Sequence, residues 1–173
     1  MRALSLVGGW DRALRAIGST RLRNPDPEES NWEADCAYLP RGRDGPLGDV
    51  GNSMPYPSLV VEVASSESTE HVLNKGWTLL SHGTTIQIVV IILIRPHTVG
   101  AQSLQLWKLQ RDRLDVHYEM GDPNCTVPGD PNFQLRLPVR LLFEGAPIPP
   151  ALVEVENMVL DLFAWKSRFL DLP

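Results

Sequence analysis

An α/β (α+β) chain built around a strand–helix–strand unit is predicted by three features of this 173-residue sequence. The run Pro57-Ser58-Leu59-Val60-Val61-Glu62-Val63-Ala64 is apolar and β-branched, and proline and Ser65-Ser66 bound it. That is the pattern of a short strand. Ile86 to Ile94 is nearly all β-branched, with Gln87 as its only polar side chain. Such a run reads as a central strand covered on both faces. Between the two, about Glu67 to Ser81, the residues Val72, Leu73, Trp77 and Leu80 fall on one helical stripe. A strand, a crossover helix and a second buried strand make a βαβ unit.

The other elements follow in chain order. From Leu4 to Ile17 the residues Leu6, Val7, Trp10, Leu14 and Ile17 recur at three- and four-residue steps, which predicts an amphipathic N-terminal helix within 1–24. Asn24-Pro25-Asp26-Pro27 ends any helix, because proline disfavours the α region before it and lacks a donor within it. Trp32 to Leu39 reads as a short strand. Pro40 to Pro57 is a loop rich in glycine, proline and charge, with no packed element. Ser65 or Ser66 with Glu67 is placed to cap the crossover helix, and Gly83 to terminate it. Ser103 to Tyr118 reads as a hairpin turning at Arg111-Asp112-Arg113. After a loop from Gly121 to Pro131, the alternation of Phe133, Leu135, Leu137 and Val139 with polar residues predicts an edge strand over Phe133 to Leu142. Past the turn at Ala146 to Pro150, Leu152 to Leu170 has helical spacing and predicts a closing helix. The whole, 1–173, is expected to be one domain: a core with the site over 32–94, a hairpin and edge strand over 103–145, and a helix over 152–170.

Composition narrows the function classes. With 43% hydrophobic and 21% charged residues the chain matches soluble globular proteins, which excludes a disordered tail, a collagen-like fibre or a disulfide-stapled miniprotein. A net charge of −5 excludes a surface that grips nucleic acid by field alone, yet leaves room for a local basic groove. Cys36 and Cys125 form no C-x-x-C and read as reduced thiols of an intracellular protein, cytoplasmic or nuclear. Asn124-Cys125-Thr126 fits a glycosylation sequon and reads as a chance match. The apolar stretch Ala3 to Gly9 is too short for a signal peptide. The longest apolar run, Ile88 to Ile94, is far short of a bilayer span, so no membrane partner is expected.

Glu62 is the residue that needs explaining. It interrupts Leu-Val-Val-Glu-Val-Ala, a run otherwise fit for a core. An isolated carboxylate there costs several kcal/mol, so it must be protonated, paired with a cation or bound to a metal. Asp35, in the strand-like Glu33-Ala34-Asp35-Cys36-Ala37-Tyr38, can converge with it if the two segments pair. Two hard oxygen donors, a backbone carbonyl and waters suit magnesium, a cation that serves phosphodiester displacement. Lys75, thirteen positions after Glu62 on the following helix, supplies a compact positive charge.

In this order, Asp35, then Tyr56 to Ser68, then a helix ending at Gly83 and the strand Ile86 to Ile94, the sequence resembles the PD-(D/E)XK nuclease superfamily. More narrowly it is similar to the restriction endonuclease domain branch, over Trp32 to Ile94. The resemblance implies a restriction-endonuclease-like αβββαβ core with a mixed central sheet flanked by helices. It implies Asp35 and Glu62 as ligands of Mg2+ or Mn2+, and Lys75 as the assisting catalytic cation. Its substrate would be nucleic acid, DNA ahead of RNA, and a homodimer is one assembly open to it. Three positions depart from the superfamily pattern: Ala64 stands where E-x-K places lysine, Ala34 replaces the proline before the aspartate, and Asp11 alone is available as a first-helix acid. These departures define the alternative, a nuclease-fold scaffold or interaction module without turnover.

Each residue also has a plainer reading. Glu62 pairs with an arginine such as Arg95 or Arg140, Asp35 is a surface acid, and Lys75 is a solvated helix residue. His71 and His82, eleven apart, match no common zinc-ligand step and read as surface residues, as do His97 and His117. The pairs Arg21/Arg23, Arg41/Arg43, Arg111/Arg113 and Arg136/Arg140 suit phosphate contact or simply solvate edges. Trp32, Trp77, Trp107 and Trp165 read as core anchors.

Overall fold

The computed structural model describes residues 10–51, 53–81, 83–95, 103–111, 113–119 and 125–170. Within them the protein is α+β and mostly strand. Strands β1 (Leu14–Leu22), β2 (Trp32–Pro40), β3 (Leu59–Ala64), β4 (Ile88–Arg95), β5 (Ser103–Gln110) and β6 (Arg113–Glu119) lie side by side in chain order. The sheet is mixed, as expected. Neighbours are antiparallel except β3 and β4, which run parallel from Leu59↔Ile88 to Ala64↔Leu93. A parallel pair needs a crossover, and α2 (Thr69–Leu79) supplies it.

Alternation along the strands divides the interior into two cores. On one face Val60, Ala64, Val89, Ile91, Leu93 and Leu109 pack with Val72 and Leu79 of α2. Gly76 sits where the helix comes closest: a Cβ there would meet Leu109 Cδ1 at 2.6 Å and Ile91 Cδ1 at 3.0 Å. A glycine, poor as a helix former, is thus what lets the helix lie against the sheet. On the other face Val61, Val90, Leu104 and Leu106 meet a second, two-stranded antiparallel sheet, β7 (Gln134–Pro138) and β8 (Asn157–Asp161), together with α4 (Leu162–Leu170). The expectation of helices on both faces is corrected here: a small sheet provides most of the second cover.

The predicted helix Leu4 to Ile17 is replaced, in its described part, by a four-residue α1 (Trp10–Ala13) followed directly by β1. Register shifts at Ala16/Gly18 and Gly18/Thr20, with Gly18 at φ 64°, break the two-residue alternation. The bulge leaves Leu14 and Ile17 at a helix-like step. Residues 4–9 of that prediction lie outside the described residues. α2 is shorter than the predicted Glu67 to Ser81. Its cap is Ser68, whose side chain accepts the His71 N–H, in place of Ser65 or Ser66. Its buried stripe is Val72, Gly76 and Leu79, and Trp77 is 40% exposed, unlike a core anchor.

The segment expected as one strand, Phe133 to Leu142, is a 3-10 turn (Pro131–Phe133), then β7, then α3 (Val139–Leu142). Pro138 closes the strand and stands at the helix N-cap, a place where its missing N–H costs nothing. The predicted closing helix splits likewise into a 3-10 turn (Pro150–Leu152), β8 and α4. β8 satisfies the ladder of β7, and the Asp161 side chain accepts the Phe163 N–H where α4 begins. The loop Pro40 to Pro57 has no regular element but is packed, against expectation: Arg43, Asp49 and Tyr56 are buried. Side-chain hydrogen bonds explain this, with Asp49 accepting from Thr20 and Gly51. No described helix is long and apolar enough to cross a membrane. His82, His97 and Asn124 lie outside the described residues.

Candidate active site

Two strand ends and one helix face meet at Glu62. The β2–β3 ladder runs through Tyr38↔Leu59, Ala37↔Val60 and Cys36↔Val61, so the next step sets Asp35 across from Glu62. Asp35 is exposed, and its Oδ2 accepts the Val63 N–H at 2.7 Å. That bond takes up a backbone donor at the point where the strands part. Glu62 points to the α2 face, its side chain only 5% exposed. α2 runs back over the sheet from the C-terminal end of β3 and brings Lys75 to it: Nζ lies 2.6 Å from Glu62 Oε2. The same ammonium donates to the Glu33 carbonyl at 3.2 Å, so one lysine joins α2, β2 and β3.

The Glu62 carboxyl is only half satisfied. Oε1 is buried and has no hydrogen-bond partner among the described residues. Burial, the largest influence, and the neighbouring charges of Asp35 and Glu67 outweigh the bond and charge of Lys75 and leave the carboxyl raised from 4.5 to about 7. A buried carboxylate with an orphaned oxygen is costly unless something compensates it. The structure therefore brings together the three residues singled out in the sequence. The predicted arginine partner is not what pairs with Glu62; the lysine is. Arg95 instead donates to the Glu67 carbonyl at 2.6 Å and to Thr69 Oγ1 at 3.0 Å.

Whether these residues suit a cation depends on the donor set. Glu62 Oε1 and the Asp35 carboxylate are hard oxygen donors beside a strand end, and magnesium binds through one or two carboxylates with the rest from water and phosphate. They fit such an ion. Among the described residues no group of three or more His, Cys, Asp or Glu side chains is placed to hold a metal together, so a closed zinc-type cage does not fit them.

Two residues read from the sequence as a cap and a surface histidine are joined here. His71 Nε2 lies 3.2 Å from Glu67 Oε1. The signal that would have found them is spacing: His71 precedes Lys75 by one helical turn and so shares its face. Two of the paired arginines are, by contrast, occupied. Arg43 donates to the Glu144 and Thr85 carbonyls, and Arg111 to Ile86, Ser81 and Thr84. Trp107 is half-buried and stacks on His117 with ring centroids 4.1 Å apart. Compared with protein-family models, curated proteins and solved structures, the chain gives no match.

Proposed function

We propose that the chain is a divalent-metal-dependent nuclease-like domain that cleaves phosphodiester bonds of nucleic acid, DNA ahead of RNA. The observation that carries this reading is the buried, half-paired Glu62 facing Asp35 at a strand end, with Lys75 on its other oxygen. The order β1-β2-β3-α2-β4 around a mixed sheet supports a restriction-endonuclease-like core. So does the position of the two acids on adjacent strands.

Asp35 and Glu62 would hold Mg2+ or Mn2+. The chemistry such a cation would supply there is polarisation of the attacking water and compensation of charge building on the phosphate. Lys75 locks the Glu62 rotamer through Oε2 and leaves Oε1 as the free donor. Its ammonium, anchored on the Glu33 carbonyl, adds positive charge where the phosphate would lie. The exposed Asp35 side keeps the site open to a polymer substrate.

The test is cleavage of labelled duplex and single-stranded DNA, and of RNA, with magnesium or manganese. Activity lost on Glu62→Ala supports the reading, and equal activity in the two proteins removes it. A second reading, a scaffold of the same architecture without turnover, is favoured by one observation: the Lys75 contact at 2.6 Å already compensates Glu62. On that reading the protein binds neither cation, and Glu62→Gln leaves the fold as stable or more so.

A further inference from the structure

We propose that His71, steered by Glu67, is the general base that takes the proton of the attacking water at this site; the inference rests on the phosphodiester-cleavage reading above. Hydrolysis needs an acceptor for that proton, and the residues already assigned cannot provide it. Lys75 is a cation engaged with Glu62 and Glu33. Asp35 accepts the Val63 N–H, and on the reading above both acids would be taken up in holding the ion.

His71 is placed for the task by four features. It lies one turn before Lys75 on the same face of α2. α2 starts beyond the C-terminal end of β3, so this turn stands at the end of the strand where sites of α/β sheets open. Glu67 adds the smallest of the charge influences that raise the Glu62 carboxyl, so the pair shares that carboxyl's electrostatic surroundings. The His71 side chain is 66% exposed, within reach of a substrate.

The pair is also held from several sides. Arg95, from β4, clamps the Glu67 carbonyl and the Thr69 hydroxyl, and Ser68 Oγ accepts the His71 N–H at 3.1 Å. Glu67 Oε1 at 3.2 Å from Nε2 orients the ring and selects the tautomer protonated there, so Nδ1 is the free acceptor. In the step itself, the water oxygen bonds to phosphorus as the bond from phosphorus to the leaving sugar oxygen breaks. The water's proton passes to Nδ1 of His71, and the leaving oxygen takes a proton from solvent. The imidazolium then returns its own proton to solvent. No electron is gained or lost. Glu67 is a positioning residue; it touches the histidine and not the reacting atoms.

The test uses the full chain with manganese and the DNA substrates named above. His71→Gln should lower kcat by about 10²–10⁴-fold while KM, the manganese titration and thermal stability stay unchanged, and added imidazole should restore part of the rate. Glu67→Gln should lower kcat less. Nitrogen-15 spectra of the histidine ring should show the Nε2-protonated tautomer in the unaltered protein and a mixture in Glu67→Gln, without any substrate present. Cleavage by His71→Gln at the unaltered rate, or loss that imidazole does not restore, overturns the assignment and leaves the site reading standing. Absence of cleavage in the unaltered protein overturns both.

Discussion

Arg111 and Glu62 both lie against the α2 face of the sheet, and the fold treats their charges in opposite ways. Every nitrogen of the Arg111 guanidinium finds an oxygen: Nε donates to Ile86, Nη1 to Ser81, and Nη2 to the carbonyl and hydroxyl of Thr84, all within 3.1 Å. These bonds tie β5 to the turn between α2 and β4. Glu62 is more deeply buried, yet among the described residues only one of its oxygens is paired. A fully satisfied charge is part of the scaffold. A buried carboxylate left half-satisfied holds its position at a cost of several kcal/mol, which is the cost the proposed cation would offset.

Three substitutions sharpen or break this contrast. Arg111→Ala should be the most damaging to stability, by about 2–4 kcal/mol, because it leaves several turn carbonyls without a donor. Denaturant unfolding checks it. A loss below about 1 kcal/mol, the value of a single exposed hydrogen bond, would make the arginine a surface group like any other.

Glu62→Gln should act in the other direction, and in a pH-dependent way. A carboxyl raised from 4.5 to about 7 binds its proton more tightly in the folded chain, so its ionisation opposes folding. That penalty is absent below the ordinary value, grows as pH rises, and is complete above about 7. Between these limits the stability of Glu62→Gln relative to the unaltered protein should therefore rise by about 3 kcal/mol. A flat difference across the range would mean that Lys75 fully compensates the charge. The smallest effect belongs to Ser68→Ala, which removes the α2 cap and should cost about 1 kcal/mol. It should leave the Lys75–Glu62 contact, seven residues into the helix, in place.

The same contrast explains what could be read from the sequence. The β3–α2–β4 unit was legible because β-branched runs and a helical stripe are local signals, and a glutamate amid valines stands out wherever the strand is placed. Asp35 and Lys75 were legible as partners of Glu62 through order and resemblance. The ends of the chain were not. β1 hides its alternation behind the bulge at Gly18, and its strand character comes from pairing with β2. β8 has the spacing of a helix, and only the open ladder of β7 makes it a strand. The Glu67–His71 pair escaped notice because each residue is ordinary alone. What joins them is the position of the Ser68 cap, which sets where the first turn of α2 falls.

The central claim is that Glu62 is buried and half-paired because, with Asp35, it holds a divalent cation. Calorimetric titration of manganese into the unaltered protein and into Glu62→Gln tests it most directly. One cation bound per chain, with binding abolished in the variant, is the expected result. Equal heats in the two proteins, or no binding in either, would contradict it and leave Glu62 and Lys75 as a structural ion pair.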